Sequence, residues 1–198
     1  MSSPTVTKQY TDSLPSNLTN PTIHITSHDP GTAKAVVHSS TKNAWTYFRE
    51  DTVGFNVVYT TEKFPVSLNE EADIKAHEKT MESRALGLVK PGGTVCRIVD
   101  FGPGNVPLMH RTQSLDYGIV LEGTVQMRLD DDSITILNKG DIAVQRGTMH
   151  EWSNHNKNEW ARMLFVLQDC EPIVVSGQRL KEDLGPSHSE LPASGNDQ

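Results

Sequence analysis

Residues 104–123 read GNVPLMHRTQSLDYGIVLEG, and residues 140–154 read GDIAVQRGTMHEWSN. In the first stretch Gly104 is followed by His110, Thr112, Asp116 and a second glycine, Gly123. In the second, Gly140 leads to the turn Gln145-Arg146-Gly147 and on to His150 and Asn154. Side chains two apart on a strand share a face, so His110 and Thr112 are expected to enter one interior. Asp116 and His150 are expected to join them, His150 being returned inward after the tight turn at Gly147. The four residues then converge inside a β structure.

Outward from these stretches, short runs rich in Val, Ile, Phe and Tyr recur at 35–38, 55–61, 84–89, 94–101, 117–121, 125–129, 133–137, 142–144, 162–167 and 173–175. Turn residues separate them, notably Glu122-Gly123, Asp130-Asp131-Asp132 and Asn138-Lys139-Gly140-Asp141. Many short strands punctuated by turns read as an all-β barrel or sandwich. The acidic triplet lacks the alternating oxygen ligands of a calcium loop and reads as a solvated hairpin tip. Segment 68–82, LNEEADIKAHEKTME, is dense in charge and reads as an exposed loop or a short helix. Residues 1–20 and 178–198 are polar and Gly/Pro-punctuated, so they are expected as tails flanking one domain over 21–177.

The bulk numbers agree with one small-molecule domain. At 198 residues two full domains are not expected. The balance of 18 Lys and Arg against 25 Asp and Glu, a formal charge of -7, disfavours nucleic acid and anionic membrane as partners. No apolar run has the length of a membrane span and the first residues lack a signal-peptide pattern, so a cytoplasmic address is expected. Cys96 and Cys170 lie in or beside apolar runs and read as free thiols. Asn17-Leu18-Thr19 matches a glycosylation acceptor, an accidental match without a secretory signal.

Two chemistries are open to the converging residues. His110, Asp116 and His150 make a two-histidine, one-carboxylate set suited to Fe, Mn, Ni or Zn. Thr112 weakens that set, since a hydroxyl is a poor ligand beside imidazole. Without metal, Asp116 with His110 or His150 forms an acid-base pair tuned by burial and mutual charge, or the three form a buried hydrogen-bonded set. Thr112, Tyr117, Arg146 and, more weakly, Arg111 are candidates to hold a substrate carboxylate or enolate. Trp152, two beyond His150, is either an aromatic wall for a flat substrate or a core aromatic. Trp45 and Phe48 are candidates to close a barrel mouth. His24, His28, His38, His77, His155 and His188 read as surface or structural residues.

The two stretches resemble the paired motifs of the cupins, small jelly-roll-like β-barrels, here with Thr112 and Asp116 where a second histidine and a glutamate are common and Gln145 where proline is common. The combination is similar to a single-domain cupin branch of bacteria and fungal biosynthetic clusters, and the resemblance spans about residues 23–169. It implies a small-molecule enzyme in polyketide-like secondary metabolism, with decarboxylation, dehydration, isomerisation and oxidation all represented. The leading expectation is a lyase or isomerase. The alternatives are a metal-dependent oxidoreductase such as a dioxygenase, and a non-catalytic binder. A homodimer is expected through an edge strand, with 55–61 as the candidate edge.

Overall fold

The computed structural model describes residues 8–185 and 190–197. The chain order is β1 (Lys8–Tyr10), β2 (Ile23–His28), β3 (Ala35–Thr41), β4 (Trp45–Phe48), β5 (Val53–Thr60), a short 3-10 turn (Asn69–Glu71) and α1 (Ala72–Ser83). There follow β6 (Thr94–Phe101), β7 (Ser114–Glu122), β8 (Thr124–Leu129), β9 (Ile134–Asn138), β10 (Ile142–Arg146), β11 (His150–Asn154), β12 (Ala161–Asp169), β13 (Ile173–Val175) and β14 (Gln178–Leu180).

The strands form an antiparallel sheet ordered β1-β4-β5-β6-β12-β7-β10, faced by a second sheet ordered β11-β8-β9. Hairpins β2–β3 and β13–β14 stand apart from both. The core lies between the two main sheets: Val95, Val99, Phe101, Val120, Met163 and Phe165 from the large sheet meet Val125, Leu137 and Trp152 from the small one. This is the all-β, jelly-roll-like architecture of a cupin. Alternation builds it, since in β7 Ser114, Asp116, Gly118 and Val120 are buried while Tyr117 is exposed. The three turns fall where the sequence places them, with Gly123 and Gly140 at φ 74 and 92 and Asp132 at φ 65, the left-handed values that tight turns demand.

Several expectations are corrected or narrowed. Residues 84–89 are not a strand: Arg84 takes a left-handed φ of 54 as the C-cap of α1, and the chain continues irregularly while burying Leu88 and Val89. In the 55–61 run Phe55 is paired on both sides, to β4 and β6, while residues 56–60 pair with β6 alone and meet α1 through Tyr59–Asp73 and Thr60–His77. Charged segment 68–82 takes the helical of its two expected forms, and buried Ile74, His77 and Thr80 give α1 an inner stripe.

Parts of the terminal segments expected as tails are packed against the barrel. β1 extends the large sheet through β4, Leu14 is buried with Trp45, Tyr47 and Ile98 on the sheet face opposite the core, and Leu184 enters the core. Trp45 therefore sits under the N-terminal segment and not at the barrel mouth. Its indole NH donates to Asn20 Oδ1 at 3.0 Å. Residues 1–7, 186–189 and 198, with the expected surface residue His188 among them, lie outside the described residues. Cys96 and Cys170 are free thiols. Among the described residues no helix is long and apolar enough to cross a membrane.

Candidate active site

Backbone pairing places the two histidines side by side. His110 precedes β7 in an irregular stretch, yet it forms an isolated antiparallel bridge with His150 of β11. Each backbone NH donates to the other's carbonyl at 2.9 Å. Residues directly opposite each other on paired strands project to the same face. The imidazole centroids are accordingly 4.4 Å apart. His110 Nδ1 donates to Leu108 O at 2.9 Å, and His150 Nδ1 donates to Thr148 O at 2.9 Å. A carbonyl can only accept, so both Nδ1 atoms carry the proton and both Nε2 atoms present a lone pair. Burial holds both rings in the neutral form: it lowers the pKa of His110, and with the neighbouring His110 it takes His150 down to about 3.

Asp116 reaches the same cavity from β7. It is 4% exposed, and its Oδ2 accepts a long hydrogen bond from Thr112 Oγ1 at 3.5 Å, while Ser114 Oγ donates to Thr112 at 2.8 Å. Oδ1 has no partner. Burial raises the carboxyl pKa to about 6, against the opposing pull of the Ser114 and Thr112 hydroxyls and of Arg97. A carboxyl with this pKa exchanges a proton readily near neutral pH.

The cavity, about 100 Å³ in volume, is bounded by Phe48, Phe55, Phe101, Trp152 and Phe165, with Arg97, His110, Asp116 and His150 supplying polar groups. Trp152 packs edge-on against His150 and tilted against Phe165, each at 5.5 Å. It is both an aromatic wall and a core residue. Arg49 and Glu190, paired at 2.8 Å, also border the cavity.

Of the residues expected from sequence, His110, Asp116, His150, Trp152 and Phe48 line the cavity. Thr112 does not; it is buried beside Asp116, which it supports. Tyr117 and Arg146 are corrected: each neighbours an inward residue, Asp116 and Gln145, and so faces outward and exposed. Arg111 is bound to Lys181 O on the outside. The residue missed is Arg97 of β6. Its signal was present, since Val95, Arg97, Val99 and Phe101 share one parity on a strand whose other members there are all apolar.

A transition metal would draw on imidazole nitrogens and a carboxylate. The imidazoles adjoin each other and have open Nε2 atoms, but among the described residues no three His, Cys, Asp or Glu side chains are grouped to hold an ion. The expected metal set of His110, Asp116 and His150 is thus a two-imidazole pair that the carboxyl, though on the same cavity, does not join as a third ligand. These residues do not fit a three-ligand centre.

No family model matches the chain. It is 42% identical over 142 residues to phomopsin biosynthesis cluster protein D of Diaporthe leptostromiformis, covering 72% of this chain and 75% of the relative. It is 38% identical to the cupin-domain-containing oxidoreductase fogC of Aspergillus ruber, covering 82% and 79%. Against the cupin-domain-containing oxidoreductase srdD of Neurospora crassa it is 33% identical, covering 89% and 90%. With the motif residues seated in a barrel cavity and relatives of this identity and coverage, the chain belongs to the cupin-domain proteins of biosynthetic clusters.

Proposed function

We propose that this cupin is a secondary-metabolism enzyme of the lyase or isomerase class, moving a proton on a small carbonyl-containing acid, with Asp116 as the proton-transferring group. The observation that carries the reading is the buried carboxyl of Asp116, with Oδ1 unpartnered and pKa raised to about 6, facing a cavity walled by aromatic rings. As a carboxylate it accepts a proton from carbon next to a carbonyl; once protonated it returns that proton to another position or to a departing hydroxyl. His110 and His150, neutral and with Nδ1 committed to backbone carbonyls, accept a hydrogen bond from a substrate hydroxyl through Nε2 and orient it. The apolar walls exclude water and strengthen these contacts.

The test is to incubate the protein in D2O with a panel of small β-keto and β-hydroxy acids and follow the α-protons by NMR. Deuterium exchange, or loss of CO2 or water, is expected with native protein. It should fall by about 10²–10⁴ in Asp116→Asn, the usual contribution of one general acid or base. Native rates in that variant would remove Asp116 from the mechanism.

A second reading, an oxidoreductase, is favoured by the printed names of the relatives from Aspergillus ruber and Neurospora crassa. Elemental analysis of protein purified without added metal separates the two readings. No stoichiometric transition metal, together with turnover that survives chelation, would count decisively against the oxidoreductase reading.

A further inference from the structure

Arg97 carries a charge into the barrel without a closed set of partners. The side chain is 4% exposed and lines the cavity. Both of its hydrogen bonds run from Nη2, to Gly87 O at 2.7 Å and Leu88 O at 3.0 Å. Nε has no acceptor. The guanidinium also lies over the Phe55 ring, 5.4 Å from its centroid, so it is fixed by two carbonyls and an aromatic face. A buried cation that lacks part of its hydrogen bonding is costly unless an anion completes it.

The facing group is also incomplete. Asp116 feels the charge of Arg97, yet its Oδ1 finds no donor and its Oδ2 is turned to Thr112. The cavity is thus lined by a fixed cation that lacks a full set of acceptors and by a carboxyl that lacks a full set of donors. A ligand that brings an anionic oxygen to the first and an acidic hydrogen to the second satisfies both.

We infer that Arg97 is the carboxylate-binding residue of this cavity, and that the ligand is a small, flat carboxylic acid held between the aromatic walls. The flatness follows from Phe48, Phe55, Phe101, Trp152 and Phe165 on the lining; the carboxylate follows from a fixed, buried positive charge whose hydrogen bonding is incomplete. Arg97 takes the role that Tyr117 and Arg146 were expected to fill and cannot, since both face outward. The inference rests on the acid-base reading only for the substrate's second contact, with Asp116.

Binding without turnover tests it. Isothermal titration of the full chain with benzoate and with benzamide, its neutral isostere, should give at least about tenfold tighter binding of benzoate, the scale of a charge-assisted hydrogen bond. Arg97→Met should bring benzoate down to the affinity of the amide, while Arg97→Lys, which keeps the charge but loses the planar group fixed over Phe55 and by the two carbonyls, should retain a weaker preference. Asp116→Asn should tighten benzoate by removing a competing negative charge. Equal affinity of native protein for acid and amide, no detectable benzoate binding, or unchanged benzoate affinity in folded Arg97→Met would each overturn the assignment. Should Arg97→Met fail to fold, the native acid-amide comparison and Asp116→Asn still decide. Because none of these readouts uses catalysis, carboxylate preference can survive loss of the acid-base reading, and the reverse.

Discussion

Burial moves Asp116 and His150 in opposite directions on the pH scale, and stability should show both. The Asp116 carboxyl is raised from 3.8 to about 6, so folding favours its protonated form. That stabilisation is complete below about pH 3.8 and is lost as pH rises through about 6. At pH 7 the buried charge then costs on the order of 2–3 kcal/mol. Asp116→Asn should exceed the native protein in stability by about that amount at pH 7, and the difference should vanish below pH 4; urea melts at the two pH values measure it. His150 is lowered from 6.5 to about 3, so its neutral form is stabilising above 6.5 and the benefit is lost as pH falls toward 3. His150→Gln should therefore flatten the acid limb of the stability curve. If Asp116 is the base, turnover of a substrate should rise with pH through about 6 and then level, and a rate that falls over the same interval would assign it as the acid instead. The spacing of the motif made His110, Asp116 and His150 legible as cavity residues. It could not show that Asp116 stands apart from the imidazole pair, since that depends on the register between β7, β11 and the irregular stretch at His110.

At the scale of the element, strand parity explains both the successes and the errors. Once Asp116 is inward, Tyr117 must be outward, and Gln145 opposite Asp116 in β10 sends Arg146 outward in the same way. The same rule makes Arg97 inward. Parity was thus readable wherever a strand was regular and one inward residue was known. What composition hid was the packing of residues 8–20, where a few buried groups sit among polar neighbours: Leu14, Ser16 and Asn20. They cover a buried pair in which Arg162 reaches Asp100 at 2.6 and 2.8 Å, and Thr19 O at 2.6 Å. Asp100→Asn leaves that guanidinium without its charge partner and should cost about 3–5 kcal/mol by chemical denaturation. In β7, Gly118 has no room for a side chain, because a Cβ there would come within 2.9 Å of Phe165 Cε1. Gly118→Val should destabilise by about 1–3 kcal/mol and displace Phe165 from the cavity wall. A native melting curve with unchanged benzoate affinity would show that the wall is not set by this contact.

The whole molecule leaves one end of its large sheet open in a way that bears on assembly. Among the described residues β10 is the last strand of that sheet and pairs only with β7, so its outer row of NH and CO groups has no strand partner there, a template that native proteins cover or blunt. It is not blunted here. Ile142 and Val144 are 63% and 54% exposed, and Tyr117, cross-strand partner of Val144, is 41% exposed beside them. We propose β10 as the subunit contact of the expected homodimer, in preference to the 55–61 run. Both apolar side chains lie on the face opposite the cavity, so pairing there would leave the site independent in each copy. Light scattering at micromolar concentration should return the mass of two chains for the native protein. Val144→Lys should return one chain, with the thermal unfolding of the barrel and the affinity for benzoate unchanged, since the substituted side chain touches neither core nor cavity. A native mass of one chain would refute the dimer, and a two-chain mass retained in Val144→Lys would move the contact to another edge.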